Sequence, residues 1–234
     1  MAEEQVANRS GNEIPQRLID AATFLLGSEG PSAIKARTVA SAAGMSTMVV
    51  YNYFGGVPEL MNAVVDHGFT QLERSFAQIP VSDDPIADLF AMALETLRYA
   101  RSNPHLYDTM FGLSTRATYR PASEKDVRRA GHSPAFRAAY AHVTDACERL
   151  GASGVVAFRS VEAVAGSMWS FVHGYITLEL ANHFSEFEDP VQEVLLPMGV
   201  TFCVGLGADP ARAMRSHEAA LARSGKFETP AAQA

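Results

Sequence analysis

The sequence predicts an all-α protein. Three observations lead there: apolar residues recur at helical spacing along most of the chain, no stretch sustains the period-two alternation of a half-buried strand, and Pro or Gly marks most boundaries. At 234 residues and 47% hydrophobic content, the chain can bury a sizeable core in one or two domains. Its formal charge of -7 excludes a protein that coats nucleic acid through overall basicity. Cys147 and Cys203 are the only cysteines, far apart in apolar helical patterns, so neither a disulfide framework nor a zinc site is expected. Met1 to Gln5 lacks the apolar core of a secretion signal. The apolar charge-free stretches Ala163 to Leu178 and Val194 to Ala208 contain Ser, His, Gly or Pro and fall short of the ~20 apolar residues a membrane span needs. A soluble cytoplasmic protein with no membrane partner and no cofactor is the expectation.

Met1 to Glu13 is polar and reads as a mobile tail (1–13). Pro15 suits a first helical turn, and Leu18, Ile19, Ala22, Phe24, Leu25 and Leu26 give an apolar stripe that ends at Gly27 to Gly30. A connection to Ala36 leads into a short helix with Val39, Ala40 and Ala43 on one side. Gly44 supplies the left-handed residue that ends it, and Ser46 stands where it can cap the next helix. Small residues at Ala40, Ala43 and Gly44 permit a close crossing, and Met45 and Val50 fill the angle. This is a helix-turn-helix within a three-helix bundle, expected over 14–66. Gly55 to Glu59 turns into a long helix carrying Leu60, Val64, Val65, Phe69 and Leu72 to about Gln78.

The remainder reads as a larger helical domain over 67–208, followed by a polar Ala-rich tail over 209–234 with room for one short helix. Asp84-Pro85 starts a helix with Ile86, Leu89, Phe90, Ala93, Leu97 and Ala100, and Pro104 to Gly112 forms a short one. Leu113 to Gly131 is the least ordered internal stretch by composition. Ser133-Pro134 starts a helix through Phe136, Tyr140, Val143 and Leu150. Ser153 to Phe184 reads as one long helix, apolar nearly all round, and Val191 to Leu206 as another, kinked at Pro197. Such helices need core on one side and a partner on the other, which predicts a homodimer.

Arg37, then V-A-x-x-A-G-M-S at Val39 to Ser46 and V-Y-x-Y-F at Val50 to Phe54, resembles the DNA-binding domain of TetR-family transcriptional regulators. The resemblance implies a homodimeric DNA-binding regulator, most often a repressor, with a divergent C-terminal domain for a small-molecule effector. Carried onto this chain, it points to Thr47, Met48 and Asn52 for base edges, Tyr51 and Tyr53 for backbone, and Lys35, Arg37 and Ser46 for phosphates. Tyr51 also suits a core position. From Gly30 to Val57 there is no Asp or Glu, which fits a phosphate-facing stretch as well as a charge-poor helical core. Val57 stands where the family usually places a phosphate-contacting Lys. Trp169, His173 and Gly174 in W-x-x-x-H-G, with Leu178 to Leu180, resemble a C-terminal domain type of a subset of these regulators.

For the effector, the large apolar residues Phe90, Tyr107, Met110, Phe111, Phe136, Tyr140, Trp169 and His173 are the candidate pocket, drawn from four helices. Core packing uses the same residue types. Glu179 and His183, four apart, have the spacing of a metal pair but read rather as a surface contact, and no third ligand is evident, so no metal site and no catalytic set are expected. Three readings follow: a ligand-controlled repressor on a palindromic operator, a helical ligand-binding dimer with weakened DNA binding, and a metal-dependent enzyme.

Overall fold

The computed structural model describes the backbone of residues 2–111 and 133–225, and side chains from residue 13 onward within them. Among these residues the chain forms ten α-helices and no strand. In order they are α1 (Ala2–Glu29), α2 (Ala36–Ala42), α3 (Thr47–Phe54), α4 (Val57–Ala77), α5 (Pro85–Ser102), α6 (Pro104–Phe111), α7 (Pro134–Ala152), α8 (Val161–Leu180), α9 (Leu196–Gly205) and α10 (Pro210–Ser224). They fall into two compact units: Met1–Gln71 with Asn103–Arg137, and Leu72–Ser102 with Ala138–Ala234.

In the first unit Leu18, Ala22, Leu25 and Leu26 of α1 are buried together with Val39 and Ala40 of α2 and Val50 of α3. The turn between α2 and α3 closes as the spacing predicts. Gly44 has φ 70°, its N–H donates to Ser41 O at 3.0 Å, and Met45 N–H donates to Ala40 O at 2.8 Å. These two bonds are a Schellman closure, which satisfies the free carbonyls at the end of α2. Arg17 adds a third tie by donating from Nη2 to Ala43 O at 2.7 Å. Elsewhere in this unit Phe69, Tyr107, Phe111 and Phe136 form an aromatic cluster, with ring centroids 4.6 to 5.7 Å apart in the contacting pairs.

In the second unit α5 is the central element, packing against α8 and α10. Asp88 of α5 is buried yet ionically engaged. Its carboxylate accepts from Ser82 N–H at 2.9 Å, Ser82 Oγ at 2.6 Å and Arg149 Nη2 at 2.6 Å. A buried charge persists only with such partners.

Several sequence expectations need correction. The backbone of α1 runs from Ala2, with Pro15 inside it rather than in its first turn; the tail expected over 1–13 lies almost wholly outside the described side chains. Ser46 occupies the N-cap position of α3, but its side chain makes no capping bond. The long helix expected from Ser153 to Phe184 is α8 alone. Gly154 at φ 69° ends α7, Ala157 N–H donates to Leu206 O at 2.9 Å instead of to a helical carbonyl, Phe158 packs on Gly151, and Ser160 Oγ caps α8 by accepting from Ala163 N–H at 3.1 Å. The expected kink at Pro197 is a π turn at Val191–Leu195, in which Leu196 N–H reaches back to Val191 O. Proline has no N–H for an α-type bond and crowds the carbonyl four residues earlier, so the ladder widens there. The 209–234 tail is a packed helix through Ser224, α10, with Ala213, Ser216, His217 and Ala220 buried. Leu113 to Gly131 lies outside the described residues.

Candidate functional site

Two regions carry chemistry, one in each unit. In the first, α3 turns a mostly uncharged face outward. Met48 is 64% exposed and Tyr51 52%, and Asn52 is also exposed, while Val50 is fully buried. Met48 is one turn from both Tyr51 and Asn52, so the three share a face; Thr47 sits half-buried beside them. Tyr53 is 44% exposed but lies about 140° round the helix from Met48. Tyr51 is therefore a surface residue, and the core alternative for it falls away. Lys35 and Arg37 are exposed at the start of α2. That end is capped by Thr38, whose Oγ1 accepts from Lys35 N–H at 3.1 Å, which leaves both cationic side chains at liberty to face outward. Ser46 is exposed at the start of α3.

In the second unit a small cavity of about 30 Å³ is lined by Phe76 of α4, Leu89, Met92, Ala93 and Thr96 of α5, Val143 of α7, and Met168, Trp169, Val172 and His173 of α8. That volume is about what one water molecule occupies. The Trp169 and His173 rings are 4.2 Å apart, and Tyr140 meets Trp169 edge-on at 5.1 Å. The Nε2 atom of His173 is shut off from solvent, and burial pulls the imidazole down to about 3, so the ring is neutral at ordinary pH. Thr96 Oγ1 donates to Met92 O at 2.8 Å within its own helix. The wall thus offers the polar atoms of Thr96, His173 and the Trp169 indole, none of them charged.

Of the eight pocket candidates, Trp169 and His173 line this cavity and Tyr140 backs it. Phe90 points elsewhere on α5, its ring 4.5 Å from that of His217. Tyr107, Met110, Phe111 and Phe136 belong to the first unit, three of them in its aromatic cluster. Selecting residues by size missed most of the lining. Leu89, Met92, Ala93 and Thr96 follow i, i+3, i+4, i+7 spacing, a periodic signal that was available in the sequence. Glu179 is held by Arg101 of α5 rather than by His183, and among the described residues no three His, Cys, Asp or Glu side chains come together. Also among the described residues, no helix is long and apolar enough to cross a membrane.

Comparison with known proteins agrees with this geometry. A model described as bacterial regulatory proteins, tetR family, matches residues 18–64, the segment containing α2 and α3. A second, the tetracyclin repressor-like C-terminal domain, matches residues 89–198, and the two together cover more than half of the chain. No curated protein matches. Among solved structures, a protein of unknown function from Rhodococcus sp. RHA1 is 22% identical, with 82% of this chain and 95% of that one covered at a TM-score of 0.67. RolR in complex with resorcinol is 15% identical, with 90% and 95% covered at 0.66. A tetR family transcription regulator from Shewanella sp. PV-4 is 18% identical, with 90% and 95% covered at 0.55. These likenesses establish a shared fold. With the turn at Gly44 and the two matched domains, they place the chain in the TetR family of transcription regulators, with an N-terminal helix-turn-helix DNA-binding domain and a C-terminal ligand-binding domain.

Proposed function

We propose that the chain is a cytoplasmic repressor that holds a palindromic operator as a homodimer and releases it when a small apolar effector binds. The observation that carries this reading is the outward face of α3, Met48 with Tyr51 and Asn52, in a stretch that also exposes the cations Lys35 and Arg37 and holds no acidic residue. Side chains on such a face suit base edges, and exposed cations suit phosphates. Ser46 and Tyr53 flank the face and are assigned to the backbone. The domain limits 14–66 and 67–208 stand as part of the proposal, with α10 added to the second domain.

The effector site is the cavity at Trp169 and His173. RolR was solved with resorcinol, a small neutral aromatic, in a fold shared with this chain. Here the uncharged walls favour a neutral ligand, and Met92 and Met168 provide adaptable side chains for it to move aside. Phe76 of α4 lines the cavity, and α4 contributes residues to both compact units, which makes it the lever. By linkage, an effector that weakens operator binding is itself weakened by operator to the same factor. For the dimer, α8 and α9 expose Leu178 and Met198, and a surface groove of about 490 Å³ is lined by the apolar Phe171, Val194, Pro197 and Phe202 together with the polar Glu193 and Thr201. Apolar groups left outside on two adjacent helices suit a two-fold four-helix interface.

A second reading, a ligand-binding dimer with weakened DNA binding, draws on Val57, which puts an apolar residue where a phosphate-contacting Lys is usual. Sedimentation together with a titration of bacterial DNA at several salt concentrations separates the two. The repressor reading expects a dimer with tight, salt-dependent and sequence-selective binding. A monomer at micromolar concentration, or binding without sequence selectivity, would overturn it.

A further inference from the structure

The chemistry of α3 says which bases it can read. From Thr47 to Phe54 there is no Lys, Arg, Asp or Glu. In the major groove guanine shows two acceptors, which a cationic fork matches; adenine shows an acceptor beside a donor, which a side-chain amide matches; thymine shows an acceptor and a methyl group, which an apolar side chain matches. The face of α3 holds the second and third of these partners and lacks the first. Met48 is the centre of that face, apolar and 64% exposed, with Asn52 one turn further along and Tyr51 beside it. The exposed cations Lys35 and Arg37 stand at the start of α2, the helix that crosses the DNA backbone in this motif. They supply affinity without base information.

We infer that α3 reads A·T pairs: Met48 packs on a thymine methyl, and Asn52 makes paired hydrogen bonds to N6 and N7 of an adenine. The inference rests on the DNA-binding reading above and narrows its partner to a half-site whose contacted core is A·T. A guanine in that core would present acceptors to an apolar side chain and leave them unmatched.

The test uses the full-length protein and a random duplex library. Enriched half-sites are expected to carry A·T pairs at the central contacted positions. In the best duplex, deoxyuridine is then substituted for each thymine in turn, which removes only the methyl group. One thymine per half-site should show a loss of about fourfold, the worth of one buried methyl, and Met48→Ala should abolish that loss. Exchanging the contacted A·T for G·C should cost roughly 5- to 150-fold in the wild type and much less in Asn52→Ala. The base analogues act on the unmodified protein, so the result does not depend on the variants folding. A selected core of G·C pairs, or indifference to deoxyuridine at every thymine, overturns the inference while the DNA-binding reading stands. A library without any enriched sequence overturns both.

Discussion

Arg101 of α5 grips a single carboxylate oxygen of Glu179 on α8, donating to Oε1 from both Nε and Nη2. The side chains are only 12% and 9% exposed, so this is a buried ion pair that ties the central helix to the helix of Trp169 and His173. Breaking such a pair from one side strands a charge away from water, whereas replacing both partners by apolar groups of similar volume is often neutral. Arg101→Met alone should cost about 3–5 kcal/mol in urea unfolding. Arg101→Met with Glu179→Leu should recover most of that loss. A single substitution that costs under about 1 kcal/mol would mean the pair behaves as an exposed one.

His217 shows why α9 carries a glycine. A Cβ at Gly199 would sit 2.4 Å from Nε2 of the His217 ring and 2.9 Å from its Cδ2. The ring has no slack, since its Nδ1 is 2.8 Å from Ala213 O and its plane lies against Phe90. Gly199→Ala should destabilise the protein by about 1–3 kcal/mol through overpacking, despite the higher helix propensity of alanine. Gly199→Ala in a His217→Ala background should cost much less than in the wild type. Equal costs in both backgrounds would show that the ring is not the obstacle.

Where the sequence was legible, the signal was local chemistry. The α2–α3 turn needs a left-handed residue and close packing, and Gly44, Ala40 and Ala43 announce it. The faces of longer helices were harder to read. The run Val155 to Phe158 continues the helical spacing of α8, yet a tertiary bond from Ala157 N–H to Leu206 O and the cap at Ser160 keep it outside that helix. The buried side of α10 is built from His217, which is polar, and from Ala213, Ser216 and Ala220, which are too small to register as an apolar stripe. At the cavity, choosing Phe90 for its size rather than Leu89 for its position missed by one residue, which is about 100° of rotation.

Val57 opens α4 directly after the turn at Gly55 and Gly56, half-buried and uncharged. A cation placed there would stand at the helix N-terminus, unfavourable for the dipole but suited to a phosphate. Val57→Lys should therefore tighten DNA binding and steepen the plot of log affinity against log salt by about 0.9 per subunit. Arg37→Ala should act in the opposite sense, weakening all sequences alike and flattening the slope by about 1. Fluorescence anisotropy at three salt concentrations measures both. An unchanged slope in Val57→Lys would place the start of α4 away from the phosphates.

His173 also links stability to pH. Burial holds the folded imidazole down to about 3, well below its ordinary 6.5. Between these values the unfolded chain binds a proton that the folded chain refuses, so stability falls as pH drops from about 6.5 towards 3 and is level above that window. His217 is lowered by burial as well and acts in the same direction. In His173→Gln, the unfolding free energy should decline less steeply than in the wild type between about pH 6 and pH 4. Parallel declines would mean that the ring is hydrated in solution.

The cavity beside Trp169 makes its ligand testable, because it is too small as it stands. At about 30 Å³ it admits a water molecule, so a ligand of several heavy atoms has to displace side chains. Met92 and Met168 are the ones that can move, being unbranched with three rotatable bonds, while Leu89, Val143 and Val172 are stiffer. Removing one of them in advance should make room. Met92→Ala is expected to cost about 2–5 kcal/mol of stability and to bind small apolar molecules more tightly than the wild type does. Trp169, the only tryptophan, reports the event through its emission, since its ring centre lies 4.2 Å from that of His173 on the cavity wall. The polar groups on the wall, neutral His173, Thr96 and the Trp169 indole, can partner a hydroxyl but cannot offset a charge. Phenol should therefore shift Trp169 emission and restore part of the stability of Met92→Ala, whereas benzoate at the same concentration should do neither. Equal responses to the two would place a cation in the site, and no response to phenol in Met92→Ala would place the ligand elsewhere.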